Sequence, residues 1–234
     1  MNAVSEAYNM AAARKSDLLV RAGSALVLFA IAGVALWFGG LAFALLLLVG
    51  AALVMVEWFA LVRAMTLSGA ARGALMLLGP VLVVGAVAGL WYIRERLGMT
   101  AALWVFGMVW ATDIGAYFAG RAFGGTRLAP SISPSKTWSG LIGGMVAALI
   151  ASATIGDRAG VQGVPLWIGL FAGLVAQLGD LAQSWMKRRA GVKDSGHLIP
   201  GHGGVFDRLD GLLPVAWIFG LLALTGHIAV RAVG

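Results

Sequence analysis

The sequence predicts an all-α fold, a polytopic transmembrane helical bundle of about seven helices, and three observations carry that prediction. The 234 residues are 60% hydrophobic and 12% charged, with a mean hydropathy of +0.91, a balance suited to solvation by lipid. Seven apolar runs lie at 22–38, 41–60, 74–93, 101–120, 138–156, 164–185 and 211–233, near the roughly 20 residues that a hydrocarbon core about 30 Å thick requires of a helix. The runs are too long and too unalternating for barrel strands, and in lipid a helix satisfies its own backbone polar groups.

Taken in order, the polar segment 1–20 opens with "MNAVSEAYNMAAARKS" and is expected on the membrane surface. No small-residue cleavage site follows the first run, so it does not read as a signal peptide. Only Gly39-Gly40 separates the first two runs. Small residues, as in "GLIGGMVAALIASA" at 140–153, let helix backbones approach closely, and such faces also suit a homodimer. No repeat or low-complexity linker divides the chain, so residues 1–234 are expected to form one integral membrane domain. Its polar loops lie at 121–137 and 186–210.

The absence of cysteine excludes disulfides, iron–sulfur clusters and thiolate zinc sites. The net charge of +7 is explained by topology. With the N-terminus inside, thirteen of the seventeen Lys and Arg face the cytoplasm, and only Arg94, Arg96, Arg158 and Arg231 lie outside. Both long polar loops then face the cytoplasm, where nucleotides are available. Nucleic acid is not implied as a partner, since no soluble reading module is present.

Ionisable groups at membrane depth are functional candidates. Asp180, on the sixth run, shares a helical face with Gln177, Ser184 and Lys187. Gln177 and Ser184 also suit plain interhelical hydrogen bonds, whereas a carboxylate needs a cation there. Asp113 has Tyr117 one turn on and Arg121 two turns on, a pattern that fits a structural Asp–Arg or Asp–Tyr pair as well as a catalytic role. Glu57, with Arg63 close by, reads as a structural or interfacial charge. Ser133, Ser135, Lys136 and Thr137 cluster before the fifth run, where helix amides and the helix dipole favour an anion. A cap would explain one of these hydroxyls; the whole collection favours phosphate.

The densest stretch is "SWMKRRAGVKDSGHLIPGHGGVFDRLDG". Lys187, Arg188, Arg189 and Lys193 can neutralise a polyanion, and Asp194, Asp207 and Asp210 can ligate a hard cation such as Mg²⁺. Gly196, Gly201, Gly203 and Gly204 permit tight turns and close backbone approach to phosphates. Together these suggest phosphoryl or nucleotidyl transfer, where positioning and charge neutralisation do most of the catalysis. His197 and His202 lack a third strong zinc ligand and better suit a phosphate contact or a loop bond. His227, alone in the last run, reads as structural.

The pattern Ser184, Lys187-Arg188, Lys193-Asp194, Pro200, His202-Gly203-Gly204 and Asp207-Arg208-Leu209-Asp210 resembles the signature of the phosphatidate cytidylyltransferase (CDP-diacylglycerol synthase) family. "DIGAYFAGRAFGGTRLAPSISPSKTWSGLIGG" at 113–144 and "GDLAQSWMKR" at 179–188 extend the resemblance across 113–211, the expected catalytic segment. Ser135, Ser139 and Gly211 depart from it, standing where Lys, Glu and Ser are usual. The resemblance implies the reaction of CTP with phosphatidate to give CDP-diacylglycerol and diphosphate. It implies Mg²⁺, with K⁺ beside it, held by Asp180 and Asp207. It also implies catalytic roles for Lys187, Arg188, Lys193, Asp194, His202, Arg208 and Asp210. Substrate contacts fall to Asp113, Tyr117, Arg121, Ser133, Ser135, Lys136, Thr137, Ser184, Gly203 and Gly204. The source suggested is bacterial and the location the inner membrane.

Asp207 to Gly211 reproduces the D-x-x-D-G opening of CDP-alcohol phosphatidyltransferases, but "LLPV" follows and no Asp occurs after 210. An ion-coupled transporter using Asp113 and Asp180 would spread charge along a pathway, whereas most charge here gathers at one face. None of the lysines completes a P-loop ending.

Overall fold

The computed structural model describes residues 22–198 and 203–231. The polar segment 1–20 and His202 lie outside the described residues, as does Pro200. The seven runs each supply a helix: α1 (Ala22–Phe38), α2 (Gly40–Ala64), α3 (Gly69–Tyr92), α4 (Met99–Phe123), α5 (Trp138–Arg158), α6 (Ile168–Arg189) and α8 (Leu212–Leu224). A four-residue helix, α7 (Phe206–Leu209), precedes α8. By length and composition α2, α3 with its continuation to Leu97, α4 and α5 can cross a membrane. The helices α1 and α8 are shorter apolar helices, and α6 carries Asp180 and three cations in its last turn. The molecule is an all-α polytopic membrane protein.

Two expectations need correction. The run 211–233 does not stay helical: α8 ends at Leu224, Gly226 turns the chain at φ 76, and β4 (Ala229–Val230) pairs with β3 (Val161–Gln162). The polar segment 121–137 is not all loop. Its first residues finish α4, and β1 (Arg127–Ala129) pairs antiparallel with β2 (Ser133–Thr137). Among the described residues, each of these sheets has two strands.

The helices meet along faces stripped of side chains. A Cβ added to Gly89 on α3 would stand 2.6 Å from the Ala216 carbonyl oxygen and 2.7 Å from Gly220 Cα on α8. On α4 and α5, a Cβ on Gly115 would approach Gly143 O to 2.7 Å, and one on Gly144 would approach Thr112 O to 2.8 Å. Close backbone approach replaces the hydrophobic drive that is absent between helices in lipid. These small-residue faces are occupied within one chain.

Gly39 separates α1 from α2 at φ 64, a conformation glycine adopts without strain. The Arg94 side chain donates to the Leu36 and Trp37 carbonyls that end α1, and the Glu95 carboxylate accepts from Gly40 N at the start of α2. The C-terminal end of α3 thus satisfies backbone groups that two abutting helix ends would leave open. The core includes Trp58, Trp104, Met108, Phe206 and Phe219, and Trp104 donates to Ser152 while its ring meets Phe219 edge-on.

Candidate active site

Charged residues from four helices and one hairpin converge at the end of the bundle opposite Arg94. Three contacts help to place them there. Thr137 ends β2 in an extended conformation and caps α5, accepting from Gly140 N at 3.1 Å. Its neighbour Lys136 therefore projects from the hairpin, and its ammonium pairs with Asp180 Oδ2 on α6. At the hairpin tip, Arg188 Nε donates to Ile132 O, a second tie between α6 and the hairpin.

On α6 the anticipated polar stripe divides. Gln177 is buried and donates to Leu141 O on α5, an interhelical bond. Asp180 Oδ1 accepts from Ser184 one turn on. Lys187 turns away from Asp180 to Asp207, 2.7 Å from Nζ to Oδ1.

Asp207 is the best-connected carboxylate described. Oδ1 accepts from Lys187 and from Gln183 Nε2 (2.9 Å), and Oδ2 accepts from the backbone amides of Ser195 (2.8 Å) and Gly204 (3.0 Å). Burial alone would raise its pKa, but the Lys187 contact and the two amides outweigh burial and hold it below the ordinary carboxylate value. Asp210 behaves in the opposite way. Burial first, then the charge of Asp180 and more weakly that of Asp113, push its carboxyl up to about 7. Asp113, Asp180 and Asp210 thus feel one another, with Lys136 the nearby cation for Asp113. Among the described residues, no three His, Asp or Glu close into a metal cage.

The glycines of the signature do what their type allows, but against carboxylates. Gly203 has φ 81, and a Cβ there would stand 2.9 Å from Asp207 Oδ2. Other expected residues lie at the rim. Arg121, Ser135, Arg188, Lys193, Asp194, His197 and Arg208 are exposed, and Ser133 is half-buried on β2. Tyr117 is exposed with its ring against Phe118, so the structure does not bring it to Asp113. Thr137 is engaged as a cap, and Ser139, which departs from the family pattern, bonds Thr137 Oγ1 and Gly124 O.

Two residues beside the site escaped the sequence reading. Gln183 lies one turn before Lys187, a spacing that would have revealed it, and its buried Oε1 has no partner. Glu57, read as an interfacial charge, is 3% exposed. It accepts from Ser195 Oγ (2.7 Å), Val205 N (2.9 Å) and Phe206 N (2.8 Å). Its donors lie 138 to 149 residues away, so no local pattern exposes it.

The chain is 52% identical to a phosphatidate cytidylyltransferase of Brucella suis over 137 residues, covering 57% of this chain and 49% of the relative. The identity is 48% over 124 residues to the Haemophilus influenzae enzyme of the same name (49% and 42% of the two chains). It is 44% over 135 residues to the Bacillus subtilis one (56% and 50%). The chain spans about half the length of the curated relatives it matches. The sequence profile of the cytidylyltransferase family matches residues 65–225, more than half of the chain and all the site residues described above except Glu57, and the chain belongs to that family.

Proposed function

We propose that the protein is a phosphatidate cytidylyltransferase, joining CTP and phosphatidate to give CDP-diacylglycerol and diphosphate. The observation that carries this reading is the placement of the Lys136–Asp180 and Lys187–Asp207 pairs, with Asp113 and Asp210 near them, at one end of a membrane bundle. There a lipid keeps its acyl chains in the bilayer while its headgroup meets a water-borne nucleotide. The names of the relatives support the same substrates. We further propose that α1, α6 and α8 complete seven crossings in a bacterial inner membrane with this end cytoplasmic, which the distribution of Lys and Arg supports.

In the reaction, a non-bridging oxygen of the phosphatidate monoester forms a bond to the α-phosphorus of CTP. The bond from that phosphorus to the oxygen bridging to the β-phosphorus breaks, and diphosphate leaves with the electron pair. The monoester, with a second pKa of about 6, is already largely a dianion near neutrality, so no strong base is needed. Repulsion between two polyanions is the main obstacle. Lys136 and Lys187, held by carboxylates on α6 and α7, would present fixed positive charge to the phosphates. Arg188, Lys193 and Arg208 at the rim would add to it.

Asp180 and Asp207 would hold Mg²⁺, with K⁺ beside it. Mg²⁺ typically takes one or two carboxylates together with substrate phosphates and water, so a three-ligand cage is not required. The unpartnered Gln183 Oε1 beside Asp207 is a hard acceptor in reserve. Lys187 and Gln183 reach Asp207 Oδ1 with the ends of flexible chains, which can yield to a cation. When bound, the ion would neutralise phosphate charge.

The test is to purify the protein in detergent, supply phosphatidate, CTP, Mg²⁺ and K⁺, and measure diphosphate and CDP-lipid. Formation of both in equal amounts is expected. No turnover across a range of both cations would overturn the reading.

A further inference from the structure

We infer that Glu57 is a positioning residue that holds the signature loop in register, so that Asp207 faces Lys187 and Gln183. The inference rests on the proposed function for its kinetic consequence, but not for its structural one.

The two carboxylate oxygens of Glu57 serve both ends of the loop at once. Oε2 accepts from Ser195 at its start and Phe206 at its end, while Oε1 accepts from Val205. Ser195 and Gly204, which give their amides to Asp207 Oδ2, are therefore each at or next to a residue that Glu57 holds. One buried carboxylate fixes the donors of another. The surrounding residues are shaped for it. A Cβ on Gly196 would stand 2.6 Å from Glu57 Oε1, and one on Gly204 would stand 2.7 Å from its Cδ, so the loop closes on Glu57 where side chains are missing. The next residue, Trp58, is anchored through its indole N–H to Leu75 O and stacks, tilted, on Phe206 at 5.4 Å between ring centres. The end of α2 thus grips the loop by one polar and one aromatic contact. Glu57 lies before residue 65, where the family profile begins to match, so the loop is positioned from outside the segment that carries the family pattern.

A glutamine cannot substitute. Whichever way its amide turns, its NH₂ must face the N–H of Val205 or of Phe206, because those two amides sit on different oxygens. Misplacing a catalytic group by about 1 Å can lower a rate on the order of 10²-fold.

The experiment compares wild type, Glu57→Gln, Glu57→Asp and Ser195→Ala, each full-length in detergent. It measures hydrogen–deuterium exchange without substrates, and kcat and KM for CTP per folded molecule. Glu57→Gln should raise exchange in segments 194–198 and 203–208 while α3 to α5 stay protected. It should lower kcat by roughly 30- to 100-fold with KM changed far less. Ser195→Ala, which removes one of three bonds, should lower kcat only a few-fold. If Glu57→Gln does not stay folded, Glu57→Asp, with its charge kept but its reach shortened, should show the same pattern at smaller size. Unchanged loop exchange with wild-type kcat would overturn the inference, as would exchange raised uniformly over all helices with kcat per folded molecule unaltered. A wild type that binds no CTP and makes no CDP-lipid would instead overturn the proposed function, and the exchange result would still decide the role of Glu57.

Discussion

Replacing Asp207 by Asn is the natural way to probe the site, and the structure predicts that it will disturb more than catalysis. The Asp207 and Lys187 side chains are 6% and 13% exposed and 2.7 Å apart. In Asp207→Asn, one oxygen can still accept from Ser195 N and Gly204 N. The new NH₂ then faces the ammonium of Lys187 and the amide of Gln183, leaving two donors without an acceptor. Breaking a buried charged pair from one side costs about 3–5 kcal/mol, and the partial exposure here places the expected loss near the lower figure. Lys187→Met leaves Asp207 with three neutral donors and should lose about 2 kcal/mol. If the pair is the cause, the double variant should lose less than the sum of the single losses, by about 1.5–3 kcal/mol, as coupled neighbours do. Equilibrium unfolding in detergent, followed by the fluorescence of the nine tryptophans, measures all four corners of the cycle. Additive losses, within about 0.5 kcal/mol, would refute the reasoning that this pair organises the loop. Activity should remain lost in the double variant, which separates the structural role of the pair from the catalytic role proposed for it.

The remaining predictions concern charge and packing. Asp210, raised to about 7 by burial and by Asp180, binds a proton in the folded state that the unfolded chain releases near pH 4. Its ionisation therefore lowers stability as pH rises from about 4 through 7. Asp210→Asn should then raise the melting temperature at pH 8 and leave it nearly unchanged at pH 4, and an equal shift at both values would contradict this. Asp207, held below the ordinary value, has the opposite sign. Its contribution is complete above about pH 4 and disappears only as pH falls further through its folded value, so amide exchange in 203–208 should stay slow at pH 5. Gly89→Val would drive a side chain into Ala216 O and Gly220 on α8. A loss of several kcal/mol, seen as failure to recover monodisperse protein, is expected, and wild-type thermal stability would show that α3 and α8 are not in contact there.

The helical runs were legible because the thickness of a bilayer sets a length that can be counted along one chain. The charged segment was legible because Lys187, Lys193, Asp207 and Asp210 lie close in sequence and keep a recognisable spacing. The end of the last run was not. Its Leu, Ala and Val suit a helix or a strand equally, and only the pairing of Ala229–Val230 with Val161–Gln162 decides between them. The hairpin at 127–137 was missed for a similar reason, since its short strands are held partly by Lys136 and Arg188 reaching between the hairpin and α6.

By itself, the sequence determined a membrane-embedded helical protein and the residues that carry charge in its polar segments. Both follow from composition and local spacing. Only the tertiary structure decided which charge meets which. Lys136 goes to Asp180 and Lys187 to Asp207, although Lys187 shares a helical face with Asp180. Glu57, which looked like a flank charge, sits beneath the signature loop. A carboxylate removed from water must find donors, and those donors come from whatever backbone the fold brings within reach, here from residues 138 to 149 positions away.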